Sequence, residues 1–299
     1  MIFIINKNII HIMIDTVVIP AAGLGTRLLT ATRESSKEMI PIFHRTSDGT
    51  LLVKPLLENI FENLYDVGFR NFCIIVGRGK EEIENHLSPH YDFIDLLKKK
   101  GEYEYAKILL KFYKKIEKSS IVWIRQYTPN GIGAATLLTE QVIGNKPFCF
   151  HAGDLYIPKT KYLKDMIKNH TKQKPTATIG VIERQNPKQY GVATLKEVSK
   201  NVFKVTNSVE KPKHPKSNFA LTGVNIFESG IFDAIRKTKP MALNEIQLTD
   251  SIQTLIKTGH NVIASKMGSK DVCLDIGTPK NYFSALVQSY GKKGIVTTR

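Results

Sequence analysis

Arg27 and Lys37 follow a glycine turn, Gly23-Leu24-Gly25, which itself follows the apolar run Val17-Val18-Ile19. Glycines let backbone N–H groups approach an anion closely, and a helix N-terminus beyond the turn adds positive potential. The two side chains then supply full charges, so the segment from Ala22 through Gly23, Gly25 and Thr26 to Arg27 and Lys37 is suited to a polyphosphate. It is neither of two common phosphate loops. Leu28 stands where a dinucleotide fingerprint needs its third glycine, and the pattern G-x-x-x-x-G-K-[ST] is absent.

A second candidate is Asp154, which closes His151-Ala152-Gly153-Asp154 directly after the apolar run Phe148–Phe150. A carboxylate at the carboxyl end of a buried strand faces the ligand crevice of an open α/β sheet. Gln126, ahead of a further glycine turn at Gly131 and Gly133, is an exposed amide able to donate and accept at once.

These residues need a scaffold, and the chain supplies one in alternation. Short apolar runs at 17–19, 72–76, 121–125 and 148–150 read as buried strands, and helical stretches separate them. That rhythm predicts an α/β fold, a doubly wound, mostly parallel, Rossmann-like sheet. From Lys54-Pro55 a helix is expected, its apolar face Leu56, Leu57, Ile60, Leu64 and Val67, with Gly68 ending it. Ser47-Asp48-Gly49 reads as a turn between two short strands. Residues 91–118 interrupt the alternation with a helical pair broken at Gly101, and from 176 onward the chain turns strand-rich.

Composition narrows the class. The chain has 299 residues, 42% hydrophobic and 23% charged, as in ordinary globular proteins. Its 43 basic and 27 acidic residues give a net charge of +16, which favours anionic ligands. No arginine-rich arm, RNA-binding aromatic signature or zinc-finger spacing accompanies that charge, so no nucleic-acid partner is expected. The apolar start, residues 1–14, is interrupted by Asn6, Lys7, Asn8 and His11 and falls short of the roughly 20 apolar residues of a membrane span. It reads as an N-terminal extension, with Met13 as an alternative start, and no membrane association is expected. Cys73, Cys149 and Cys273 lack metal-ligand spacing; Cys73 and Cys149, inside apolar strand-like runs, read as buried thiols of a reducing compartment, and a cytoplasmic protein is expected.

The string from Val17 to Pro41 resembles the signature of the sugar-1-phosphate nucleotidyltransferases, G-x-G-T-R-x-x-P-x-T-x-x-x-P-K-x-x-x-P. Gly23, Gly25, Thr26, Arg27, Thr32, Lys37 and Pro41 fit it, while Thr30 and Ser36 replace its two inner prolines. Further strings match in the family's order: Gln126 with Gly131, Asp154, Tyr190-Gly191-Val192, Val209-Glu210-Lys211-Pro212, Thr222-Gly223, and Asp275-x-Gly277-Thr278-Pro279. The resemblance implies that Arg27, Lys37 and Lys211 handle phosphates and that Ala22, Gly23, Gly25, Thr26, Gln126 and Gly131 bind the nucleotide. It implies that Gly191, Glu210 and Thr222 bind the sugar, and that Asp154 and Asp275 hold Mg²⁺. Glu210 and Lys211 are neighbours on an expected strand, so a twist or bulge near Pro212 is required for both to reach one ligand.

Within the family, the 91–118 insertion and the string Glu245–Asp250 (EIQLTD) resemble the bacterial and archaeal uridylyltransferases. The implied substrates are UTP and glucose 1-phosphate, with thymidylyltransferases the nearest rival and a homo-oligomer, dimer or tetramer, the usual assembly. The implied organisation is one domain over 15–290. Residues 15–160 form its nucleotide half and 161–290 its sugar-binding β-region, and 291–299 form a tail.

Overall fold

The structure is a computed structural model that describes residues 14–46, 48–199, 202–240 and 244–291. The expected extension, except Ile14, and the expected tail beyond Gly291 lie outside the described residues.

The first half contains strands β1 (Thr16–Ala21), β2 (Pro41–Arg45), β3 (Leu51–Pro55), β4 (Asn71–Val76), β5 (Ser120–Arg125), β6 (Phe148–His151) and β7 (Leu155–Tyr156). Its helices are α1 (Leu56–Val67), α2 (Glu81–His86), α3 (Tyr91–Lys99), α4 (Tyr103–Glu117), α5 (Ile132–Leu137), α6 (Glu140–Ile143) and α7 (Lys161–Gln173). The second half adds β8 (Ala177–Glu183), β9 (Gly191–Ser199), β10 (Val202–Glu210), β11 (Phe219–Phe227), β12 (Val262–Lys266) and β13 (Leu274–Asp275). With them come α8 (Gly230–Lys237), α9 (Leu248–Lys257) and α10 (Pro279–Tyr290).

Nine strands form one sheet in the order β5-β4-β1-β6-β11-β8-β12-β10-β9. The apolar runs explain its middle. Side chains alternate faces along a strand, and Val17, Ile19 and Ala21 enter the core on one face while Val18 enters the other. Helices must then cover both faces. Phe61 of α1 lies 4.5 Å from Phe72 of β4 on one side, and Phe232 of α8 stacks on Phe148 of β6 at 5.5 Å on the other. The first four strands are parallel, β4 and β6 flanking β1 with Val18 opposite Cys73 and Phe150. The second half mixes directions: β11 runs antiparallel to β6 and β8, β12 runs parallel to β8, and β9 and β10 form an antiparallel ribbon. β9 also pairs with the start of β11, Val192 lying opposite Ala220.

Strand order reverses at β1. The chain moves outward through β4 and β5 and returns on the far side as β6, which leaves a crevice at the carboxyl ends of β1 and β6. The turns there are tightly packed. A Cβ on Gly153 would stand 2.6 Å from the Pro20 carbonyl oxygen, closer than real Cβ contacts come.

The helical pair at 91–118 forms as expected, its break at Gly101 in the left-handed region with φ +80°. The helix expected from Lys54-Pro55 begins later, at Leu56. Lys54 and Pro55 end β3, whose pairing with β2 completes the hairpin expected around Ser47-Asp48-Gly49, Ser47 itself lying outside the described residues. Cys73, Cys149 and Cys273 are free and buried, and burial pushes the Cys73 and Cys273 thiols up to about 12.

Candidate active site

Asp154 and Asp275, far apart in sequence, are joined by the two-stranded sheet of β7 and β13. Asp275 pairs with Leu155, and the Ile276 N–H donates to the Asp154 carbonyl at 2.8 Å. This pairing places two carboxylates at the crevice mouth. Lys37 reaches them from the turn after β1, its Nζ 2.5 Å from Asp154 Oδ2. Gly23 leaves room for that reach, since a Cβ there would meet Lys37 Nζ at 3.3 Å. Gly277 does the same for Arg27: a Cβ would stand 2.5 Å from Arg27 Nη2 and 2.6 Å from Asp275 Oδ1.

The electrostatics follow from this crowding. Burial pushes the Asp275 carboxyl above the usual range, and the Asp154 charge adds to the effect, against the pull of Lys37, Arg27 and Lys211. Burial works to lower Lys37, but Asp154, Glu38 and Asp275 together outweigh it and hold the amine above its ordinary value. His151, expected to be structural, is buried with Nδ1 2.9 Å from the Ala152 carbonyl, and burial lowers it to about 4.

Asp154, Asp275, Arg27 and Lys37 line a cavity of about 310 Å³. Gly191, Glu210, Lys211 and Thr222 line the same cavity. The irregularity that Glu210 and Lys211 require is present. β10 ends at Glu210, and Lys211 takes the left-handed conformation at φ 41°, its N–H donating to the Tyr190 carbonyl at 3.1 Å. That break turns both side chains into the cavity, with Lys211 Nζ 3.2 Å from Glu210 Oε1. Glu210 lies opposite Gly191 in the β9–β10 ribbon, and a Cβ on Gly191 would strike Thr249 Oγ1 at 2.7 Å. Thr222 is buried, its hydroxyl 3.3 Å from the Tyr162 hydroxyl and accepting from the Val224 N–H.

Ala22, Gly23, Gly25, Thr26, Gln126 and Gly131 are not among the residues lining this cavity. Ala22 to Thr26 form the turn that carries Arg27, with Gly25 left-handed at φ 66°. Gln126 is engaged within its own loop, its Nε2 donating to Asn130 Oδ1 at 3.0 Å. Gly131 permits a close backbone approach, since a Cβ would lie 2.5 Å from the Ile246 carbonyl oxygen. The next residue, Ile132, does line the cavity.

The residue replacing a family proline, Ser36, has a definite role. It is buried, donates from its backbone N–H to Glu82 and from its hydroxyl to Glu38, and accepts from Lys80 Nζ at 2.6 Å. Burial pushes the Glu38 carboxyl up, against Lys37 and Lys80. Sequence reasoning also missed Arg184, Gln189, Asn225 and Gln247 in the cavity wall. Arg184 follows β8, which is parallel to β6, so the strand-end rule that singles out Asp154 points to it equally.

The two aspartates fit a divalent cation. Asp275 Oδ1 is buried without a hydrogen-bond partner, and Asp154 is close enough to perturb it. Among the described residues no group of three or more His, Cys, Asp or Glu could hold a metal. Two carboxylates without a full protein cage are what Mg²⁺ accepts when substrate phosphates and water complete its octahedron.

A basic turn after the first strand, paired carboxylates across the crevice and a second-half wall of glycine, glutamate and lysine define a nucleotide-handling α/β enzyme, and residues 16–290 match the model of the nucleotidyl transferase family. The chain belongs to that family. It is 35% identical, over 92% of its length and 93% of the relative's, to a Methanocaldococcus jannaschii protein whose name gives it provisionally as a UTP–glucose-1-phosphate uridylyltransferase. It is 34% identical to UTP–glucose-1-phosphate uridylyltransferase 2 of Streptococcus pyogenes, covering 81% of this chain and 79% of the other. Its fold matches the crystal structure of a UDP-glucose pyrophosphorylase complexed with UDP-glucose at a TM-score of 0.78 and 30% identity, covering 94% of this chain and all of that one. Among the described residues no helix is long and apolar enough to cross a membrane.

Proposed function

We propose that this protein makes UDP-glucose and pyrophosphate from UTP and glucose 1-phosphate. The observation that carries the reading is one cavity lined by Arg27, Lys37, Asp154 and Asp275 together with Gly191, Glu210 and Lys211. In this reading 15–160 take the nucleotide and 161–290 the sugar, within one unit over 15–290. The names of the relatives supply the substrates.

The second pKa of a phosphomonoester is about 6, so the sugar phosphate is mostly dianionic at neutral pH and needs no general base. Its oxygen bonds to the α-phosphorus of UTP. The α–β bridging bond breaks, and the electron pair leaves with pyrophosphate. Catalysis is then positioning and charge stabilisation. Arg27 and the backbone from Ala22 to Thr26 hold the β- and γ-phosphates and the departing group, and Lys37 neutralises charge near the α-phosphate. Lys211 grips the incoming phosphate, while Glu210 and the Gly191 backbone accept or donate to sugar hydroxyls and Thr222 shapes the pocket floor. Gln126 and the Gly131 backbone read the uracil edge, for which Gln126 must exchange its bond to Asn130. Asp154 and Asp275 would hold Mg²⁺, which when bound supplies positive charge to the phosphate oxygens. We place the enzyme in the cytoplasm, where buried free thiols persist, as a dimer or tetramer.

The test is pyrophosphate release with Mg²⁺, crossing UTP, dTTP, ATP and CTP with glucose, galactose and N-acetylglucosamine 1-phosphates. Turnover with UTP and glucose 1-phosphate far above the other pairs is expected. Equal turnover with dTTP would overturn the base assignment, and none with any pair would overturn the function.

A further inference from the structure

Cations in the cavity are not equally occupied. Lys37 is paired with Asp154, and Lys211 with Glu210. Arg184 forms no ion pair among the described residues, although it lines the same wall as Tyr190, Gly191, Lys211 and Cys273. Its guanidinium is nonetheless fixed in place. The backbone N–H of Arg184 donates to the Asn218 carbonyl at 2.9 Å, Nη2 donates to the Cys273 carbonyl, and Cζ lies 5.8 Å from the centre of the Tyr190 ring. Nε is buried with no acceptor. A buried guanidinium donor without a partner is costly and rare, because arginine recruits acceptors through a planar fork of N–H groups.

Nε itself is closed even to a water-sized group, so a ligand in the cavity meets the other N–H groups of the fork, and the location indicates what such a ligand carries. Cys273 lies two residues before Asp275, and Tyr190, facing the guanidinium, accepts the Lys211 N–H through its carbonyl. Arg184 therefore stands on the wall between the Asp275 strand and the Lys211 turn. Among the described residues that line the cavity, Arg27 is the other cation without an ion pair, and the functional reading above already assigns it to the nucleotide. We propose that Arg184 is a second anion-binding residue for the sugar substrate, taking an oxygen of an anionic group that this substrate carries. That group is the 1-phosphate, shared with Lys211, or a carboxylate on the sugar ring such as that of a hexuronic acid. The proposal rests on the sugar-nucleotide reading above and names a residue that this reading did not use.

The test compares wild type with Arg184→Gln and Arg184→Lys, after thermal unfolding shows that each is folded. KM is measured for glucose 1-phosphate, for glucuronic acid 1-phosphate and for UTP. If Arg184 holds the 1-phosphate, Arg184→Gln raises KM about tenfold or more for both sugar phosphates, as loss of a charge-assisted hydrogen bond does. If it holds a ring carboxylate, only the glucuronic acid substrate suffers. In both cases KM for UTP stays within about twofold, and Arg184→Lys recovers part of the loss because it restores charge without the fork. Unchanged KM for both sugars in Arg184→Gln overturns the proposal, as does an equal rise for UTP. Should wild type turn over neither sugar, the fault lies with the functional reading. Calorimetric binding of glucose 1-phosphate and glucuronic acid 1-phosphate, weakened in Arg184→Gln or not, then decides the role of Arg184.

Discussion

At Asp275 the proposed function and stability conflict. Its folded pKa is raised by burial and by Asp154, so its ionised form is disfavoured in the native state. A group with a raised folded pKa adds stability below its unfolded pKa, and that stability is lost as pH rises through the folded value. Asp275→Asn removes this penalty. The variant is expected to melt about 2 °C above wild type at neutral pH, the advantage closing as pH falls below the folded pKa of Asp275. Calorimetry across pH checks the sign; a variant less stable than wild type at pH 7 would show that Asp275 is compensated. Turnover of the same variant should drop about 10²–10³-fold, the usual cost of losing one preorganised contact with developing charge. Arg27→Ala and Lys37→Ala should lose turnover on the same scale while remaining folded, measured by pyrophosphate release beside circular dichroism. Near-normal rates in both would remove the phosphate loop from the mechanism.

At the scale of elements, the turn carrying Lys37 is held by the cluster of Ser36, Glu38, Lys80 and Glu82. Ser36 has φ −68° and ψ 139°, which proline could adopt, so the backbone alone does not explain the departure from the family's proline. Ser36→Pro deletes the N–H that Glu82 accepts and the hydroxyl between Glu38 and Lys80. We expect a loss of about 1–3 kcal/mol in urea unfolding and a fall in kcat of about tenfold as Lys37 is released. Ser36→Ala keeps the N–H and should fall in between. A proline variant as stable as wild type would show that Glu38 and Lys80 hold the turn without Ser36. The same elements show what the sequence could and could not reveal. The glycine turn and Asp154 were legible because each directly follows an apolar strand run, and the helical pair because its periodicity is local; the helix expected beyond the glycine turn is only the three-residue 3-10 turn Thr26–Leu28. Asp275 was legible only by resemblance, because its partnership with Asp154 depends on β7 and β13 pairing across the chain. The φ 41° of Lys211 is imposed by the β9–β10 ribbon and its contact with Tyr190, which no local propensity announces. Ser36 read only as a departure from the family's proline because its acceptor, Glu82, lies far along the chain.

For the molecule as a whole, the net charge of +16 needs a function-level explanation, because the cavity does not account for it. Arg27, Lys37, Arg184 and Lys211 face Asp154, Glu210 and Asp275, so the cavity lining is itself nearly neutral. Such a cavity can hold polyanions in register but exerts little pull on them at a distance. The pull must come from the rest of the surface, including exposed lysines such as Lys98, Lys99 and Lys100, none of which lines the cavity. Fields of this kind raise association rates and fade with salt, the Debye length shrinking from about 30 Å at 0.01 M to about 8 Å at 0.15 M. We therefore expect kcat/KM for UTP to fall several-fold over that range of salt while kcat holds, since bound substrate no longer depends on long-range attraction. Changing Lys98, Lys99 and Lys100 together to glutamate should lower kcat/KM at low salt, leave kcat intact, and lose its effect near 0.5 M salt. If the triple variant matches wild type at every salt concentration, steering is not a property of the whole surface, and the salt dependence belongs to Arg27, Lys37, Arg184 and Lys211 themselves.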